Sequence, residues 1–366
     1  MANFDLTNLA VKMIAPNNEV IVDETGHPSV VVYIPKFKLS DVLNTTDSST
    51  HPAFIVNGKE IPGFYVSKYQ NIVDAGVAYS LPAEDPGVNI NFDNARARCE
   101  AKGNGWHLMT NAEWAAIALW CKKNGFQPKG NNNYGKDTSE SNYRAIPTYK
   151  DGDGKTCRIA TGTGPLTWYH DGTMGGIADL NGNVWEWQGG FRTVYGEIQI
   201  LANNDAADPD NPQNNTSLKW KAISASDGAL VDPECSVTGS PARTGSTVKL
   251  KWSGSVWIYS TNMGDNIPDT YKGHVFASLT ADNTVSAEAK LLLRALALLP
   301  DEGSQASDYE GDYCYFNAYE SERCAIRGGS WNSGGYAGLF ALDAYHGRSL
   351  AHTGIGFRSA YIPDIG

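Results

Sequence analysis

The 366-residue chain has no uninterrupted apolar run approaching the roughly 20 residues that a membrane span needs. Its longest apolar stretch, residues 291–299, is short and carries Arg294. The N-terminus lacks a basic segment followed by an apolar one, so no signal peptide is expected. No two of the six cysteines (Cys99, Cys121, Cys157, Cys235, Cys314 and Cys324) make a CxxC pair or a zinc spacing. Free thiols in a reducing cytoplasm are the expectation. Basic residues are scarce: 29 Lys and Arg against 40 Asp and Glu give a formal charge of −11. That acidity argues against a nucleic-acid or anionic-membrane binder, since such surfaces need clustered Lys and Arg to neutralise phosphates. Charged residues of all kinds make up only 19%.

Glycine (38), tyrosine (18) and tryptophan (10) are plentiful instead. They mark a turn-rich, aromatic-rich folded protein rather than a disordered one. The length allows one large domain with insertions. Residues 1–45 read as a small N-terminal β module: 20–22 and 29–35 are β-branched runs, with Thr25-Gly26 as the turn between them. A polar stretch at 43–52 looks like a linker, which leaves 46–366 as one domain. Within it 63–69 alternates as a strand, and 92–102 reads as a short helix stopped by Gly103. Thr110 and Glu113 have the spacing of a capping box. Trp114, Ile117, Ala118 and Cys121 then form an apolar stripe. Asp151 and Asp153 open a loop that resembles the start of a calcium loop. Lys155 takes a ligand position and Gly162 stands where the twelfth-position Glu belongs, so an EF-hand is excluded. Residues 194–283, rich in Asn, Asp, Pro and Gly, read as a long insertion. Residues 286–299 read as a helix capped by Ser286 and stopped by Pro300.

Three motifs are more specific: His107-Leu-Met-Thr-Asn-Ala-Glu-Trp114, Ala178-Asp-Leu-Asn-Gly-Asn-Val-Trp-Glu-Trp187, and Arg327-Gly-Gly-Ser-Trp331 with Gly356-Phe-Arg-Ser-Ala360. Their order and content resemble the formylglycine-generating-enzyme type of C-type lectin fold. The resemblance covers roughly residues 60–190 and 285–361 and implies an α+β fold. Arg327 and Arg358 are expected in structural ion pairs, with Glu113 and Glu186 as partners. The oxidase chemistry of that family resides in a cysteine pair shortly before the Gly-Phe-Arg strand. Residues 331–355 contain no cysteine, so neither a soft-metal ligand nor a sulfur nucleophile is available there. The alternative of an oxidase homologue that has lost its cysteines therefore ranks second.

The stretch 328–360 also resembles the variable region of diversity-generating retroelement proteins, including phage tropism determinants. In those systems template adenines are randomised, mainly in AAY codons, which leaves Lys, Glu, Gln, Met and Trp unreachable at the variable positions. Residues 328–360 contain no Lys, Glu, Gln or Met, and their only Trp, Trp331, is a framework position. The resemblance implies variable ligand-binding positions at Ser330, Asn332, Ser333, Tyr336, Asp343, Tyr345, His346, Leu350, His352 and Gly354. Tyrosine and histidine among small polar residues also make up antibody paratopes. A catalytic base at His346 or His352 is not expected, because neither has a nucleophile or metal assigned beside it.

The first resemblance further implies a structural calcium, held by the Asp179 and Glu186 side chains and the backbone oxygens of Gly182 and Val184. Hard oxygen ligands in a tight turn suit that ion. The expectation is a non-enzymatic receptor-binding protein, needing no cofactor beyond that calcium. Its partner would be a cell-surface protein or glycan. It would act without nucleic acid or membrane insertion, in a phage tail or, before assembly, in the cytoplasm. A homo-oligomer would add avidity.

Overall fold

A computed structural model describes residues 3–140 and 142–363. Its five helices are α1 (Asn3–Ile14), α2 (Leu39–Val42), α3 (Phe92–Glu100), α4 (Asn111–Lys123) and α5 (Ala287–Ala295). The fold is α+β and of the C-type lectin kind.

Two sheets carry it. One is antiparallel, with strands in the order Asn18–Val22, Pro28–Pro35, Gly63–Ser67, Ser359–Tyr361, Trp106–Leu108. It ties the last strand to the first part of the chain: Ala360 faces Val66 on one side and His107 on the other. The second sheet is larger. From Lys272–Val275 it runs through Tyr313–Phe316, Gly338–His346, Glu322–Gly328 and Trp185–Val194 to Glu197–Ile200. Ile355–Phe357 pairs in parallel with Trp185–Val194.

Residues 1–45 do not stand apart as the sequence suggests. Both of their strands continue the first sheet, through pairs such as Val32 with Val66. The supposed linker is also folded in: Lys38 bridges Thr50, and buried His51 places Nε2 2.8 Å from the Ala295 carbonyl oxygen. Helix α1, which the sequence reading left out, precedes this unit. The 194–283 segment is likewise part of the second sheet. Thr244–Trp252 and Trp257–Asn262 extend one edge, and Lys272–Val275 closes the other.

Helix α4 begins on the expected capping box. Thr110 Oγ1 accepts from the Glu113 N–H, and Glu113 Oε2 accepts from the Thr110 N–H. Its expected stripe is buried, and so are Ala115, Ala116 and Leu119. The helix is therefore enclosed by core rather than laid on a surface. Trp114 donates its indole N–H to the Leu339 carbonyl oxygen, 2.8 Å away, and so anchors the strand that leads to the C-terminal loops.

The two arginines behave differently. Arg358 makes the expected pair: its Nε and Nη2 donate to the two Glu186 oxygens at 3.0 and 2.9 Å. Arg327 does not pair with Glu113, whose Oε1 lies 2.9 Å from His107 Nε2. Arg327 donates instead to Asn111 Oδ1 and to the carbonyl oxygens of Leu296 and Ala297, just beyond α5. The negative end of a helix substitutes there for a carboxylate.

Candidate functional site

The C-terminal loops start from a forced turn. Gly328 and Gly329 have φ of 91° and 88°, and a Cβ on Gly329 would stand 2.4 Å from that of Ala337. Only glycine fits there. The turn aims Trp331 inward, against Cys157 and Val184. The loop beyond it is held from outside, since the Gly334 N–H donates to the Asn132 carbonyl oxygen. The strand Gly338–His346 then returns between Tyr313–Phe316 and Glu322–Gly328.

On this frame Asn332, Tyr336 and His352 are exposed, and Ser333, Tyr345, His346 and Leu350 are half-buried. Three of the expected contact residues are not on the surface. Ser330 is consumed by its turn: its N–H donates to Ser333 Oγ and its hydroxyl to Asn332 Oδ1. Asp343 is enclosed because its strand is central in the sheet; its Oδ1 accepts from the Tyr345 N–H, and its Oδ2 lies 3.4 Å from His346 Nε2. Gly354 is buried beneath the Trp331 ring. Burial pushes the Asp343 carboxyl well above its ordinary value. Burial, with Arg323 and His352 nearby, pushes His346 down to about 4. His346 therefore adds no positive charge to this part of the face at pH 7.

Tyrosines from outside the stretch complete the face. The Tyr336 ring lies 4.4 Å from Tyr313, Tyr313 lies 5.0 Å from Tyr315, and Tyr315 lies 6.2 Å from Tyr345. Tyr345 stacks on Tyr271 at 4.2 Å and touches His346 at 3.9 Å. The row joins the loop and strand of 328–360 to a neighbouring strand and to the long insertion. Sequence reasoning missed Tyr271, Tyr313 and Tyr315. The alternation Tyr313-Cys-Tyr315-Phe was a legible signal, since residues two apart share one face of a strand. Tyr271 had none, because its place depends on pairing between Lys272 and Phe316.

The turn expected to hold calcium does converge its oxygens, but onto an amide. Gln70 Nε2 lies 3.2, 3.4 and 3.1 Å from the carbonyl oxygens of Asp179, Gly182 and Val184, and 3.0 Å from Glu186 Oε1. Asn183 Nδ2 donates to Gln70 Oε1 and so fixes the amide's orientation. Both Glu186 oxygens also serve Arg358. Asp179 Oδ2 accepts from the Gly162 N–H, Oδ1 has no partner, and burial pushes this carboxyl up to about 6. A calcium ion needs oxygens at about 2.3–2.6 Å with free lone pairs. These residues do not fit one, because a neutral donor already fills the centre of the cradle.

All six cysteines are buried and unbridged, and burial raises each thiol pKa. Protonated, enclosed thiols are neither nucleophiles nor soft ligands. Among the described residues, no group of three or more His, Cys, Asp or Glu side chains is placed to hold a metal. Among them, too, no helix is long and apolar enough to cross a membrane.

A family model described as sulfatase-modifying factor enzyme 1-like domain matches residues 11–224. No curated protein matches the chain. Among solved structures, PvdO from Pseudomonas aeruginosa is similar at 12% identity and TM-score 0.36, over 91% of this chain and 94% of that one. Treponema denticola variable protein 1 is similar at 12% identity and TM-score 0.33, over 95% of this chain and 100% of its own. A Major Tropism Determinant, the M1 variant, is similar at 12% identity and TM-score 0.32, over 94% of this chain and 71% of its own.

Proposed function

The chain belongs to the family of sulfatase-modifying factor enzyme 1-like domains, and we propose that it uses this scaffold to bind a ligand without transforming it. The row of rings from Tyr336 to Tyr271 carries the reading. Tyrosine offers a large contact area for little rotamer entropy, and stacked neighbours reduce that loss further. His346 is neutral at pH 7 and tyrosines dominate the face, so shape and hydroxyl placement would select the partner rather than long-range attraction.

The exposed positions Asn332, Tyr336 and His352 and the half-buried Ser333, Tyr345, His346 and Leu350 are the variable part of this reading. A retroelement would diversify them, and the protein would serve as a receptor-binding component of a phage tail that recognises a cell-surface protein or glycan. The missing Lys, Glu, Gln and Met between residues 328 and 360 support this, as do rigid framework residues on both sides. Absence of a thiolate from the same stretch supports a non-enzymatic role.

Two experiments test the reading. A display library randomised at these seven positions and selected against a chosen soluble protein should yield folded binders. Failure to enrich any folded clone would sink the idea of a tolerant face. In parallel, Ellman's reagent should find no reactive thiol in the native protein and six after denaturation; a fast-reacting native cysteine would reopen sulfur chemistry.

A further inference from the structure

A cleft of about 560 Å³ opens beside the hairpin of Pro147–Lys150 and Thr156–Ile159. Lys136, Arg144, Lys150 and Lys155 line it. Among the described residues none of these four lies within ion-pair distance of a carboxylate, whereas nearby Lys129 and Arg158 hold Glu310 and Asp85. On a chain of charge −11 this is a local reversal of sign, and a concave wall concentrates such a potential. The nearest acids along the hairpin are Asp151 and Asp153 at its tip. Asp151 Oδ1 is engaged, accepting from the backbone N–H groups of Asp153 and Lys155.

Tyr134 gives a second observation. Its φ of 50° lies in the left-handed region, which a bulky residue adopts only under strain. The strain is held in place by its N–H, which donates to the Trp331 carbonyl oxygen at 2.8 Å. The half-exposed ring lines the cleft with Lys155 Nζ 5.3 Å from its centroid. Gly334 donates to the Asn132 carbonyl oxygen close by. The wall of the cleft and the loop bearing Tyr336 are therefore one hydrogen-bonded unit.

We propose that this cleft is a subsite for an acidic group, a carboxylate or sulfate, carried on a saccharide chain. The proposal deepens the binding reading and rests on it for the adjacency of the two faces. An aromatic ring beside cations suits a sugar's apolar face next to its acidic substituent. Nucleic acid is disfavoured, because its duplex presents a charge every ~1.7 Å to a chain whose net charge is −11. A saccharide that carries its charge sparsely does not.

Calorimetric titration of the full chain with three probes tests this: an oligogalacturonate, a heparin-derived oligosaccharide and a neutral maltooligosaccharide of matched length. The first two distinguish carboxylate from sulfate. Either or both should bind, more weakly as salt is raised, and the neutral probe should not. The combined variant K136Q/R144Q/K150Q/K155Q should lose about tenfold or more in affinity with unchanged thermal unfolding. Tyr134→Gly should weaken binding. Equal binding of the neutral probe, full affinity in the combined variant, or tighter binding of an oligothymidylate than of either acidic probe would overturn the proposal. Tyr336→Ala and Tyr345→Ala separate the two readings. Acidic-probe binding that survives them but not the lysine and arginine changes supports the cleft, even if the tyrosine row is inert. The opposite pattern sinks it.

Discussion

Tyr271 stacks on Tyr345 with ring centroids 4.2 Å apart and planes 14° from parallel. One ring belongs to the long insertion and the other to the C-terminal strand, so the insertion directly orders part of the candidate binding face. Its contribution is positional: the Tyr271 ring fixes the orientation of the Tyr345 ring.

The expected face divides by burial into tolerant and intolerant positions. Asn332→Ala, Tyr336→Ala and His352→Ala should each change unfolding free energy by less than about 1 kcal/mol, as exposed substitutions usually do. Asp343→Leu and Gly354→Val should cost roughly 2 kcal/mol or more, through a lost backbone contact and an overpacked Trp331. Urea titration measures both groups. Equal costs across the two would show that burial does not set tolerance here.

What was legible in the chain was local or carried by a dense motif. The capping box of Thr110 and Glu113 lies within four residues, and the Glu186–Arg358 pair joins two recognisable motifs. Burial of Ser330, Asp343 and Gly354 was not legible. Asp343 lies in a strand covered on both faces, which residue type alone does not announce; Ser330 and Gly354 are buried by turn contacts and by the Trp331 ring. Gln70 escaped for a different reason: its amide meets Asp179, Gly182, Val184 and Glu186 more than a hundred residues away in sequence. The independence of residues 1–45 failed because strand pairing, not composition, decides whether a segment is a module.

Arg327 is fully buried without a carboxylate partner, and burial pushes its pKa down to about 9. Its planar fork reaches Asn111 and two carbonyl oxygens after α5 at once. Lysine offers a point charge that cannot match this geometry. Arg327→Lys should destabilise by about 3 kcal/mol, read as a lowered urea midpoint with an unchanged slope. A near-neutral result would mean the guanidinium contacts contribute little.

Gln70 is expected to do the work a cation would otherwise do. Removing its amide leaves three buried carbonyl oxygens and a shared carboxylate short of a donor, so Gln70→Ala should cost about 3 kcal/mol. Neither millimolar calcium nor excess EDTA should move the melting temperature of the unaltered protein. A clear calcium-dependent rise would show that the amide yields its place to the ion.

Asp179 links that turn to pH. Burial raises its folded pKa from 3.8 to about 6, so the folded state holds a proton that the unfolded state releases. Stability therefore falls as pH rises from near 4 to near 6 and is flat above, the reverse of the usual ion-paired carboxylate. The full effect of a shift of that size is roughly 3 kcal/mol. Asp179→Asn keeps an oxygen for the Gly162 N–H and removes the titration. Its unfolding free energy relative to the unaltered protein should climb through that interval and then level off. A difference curve without slope between pH 4 and 6 would mean that the orphan oxygen Oδ1 is solvated well enough to keep its charge.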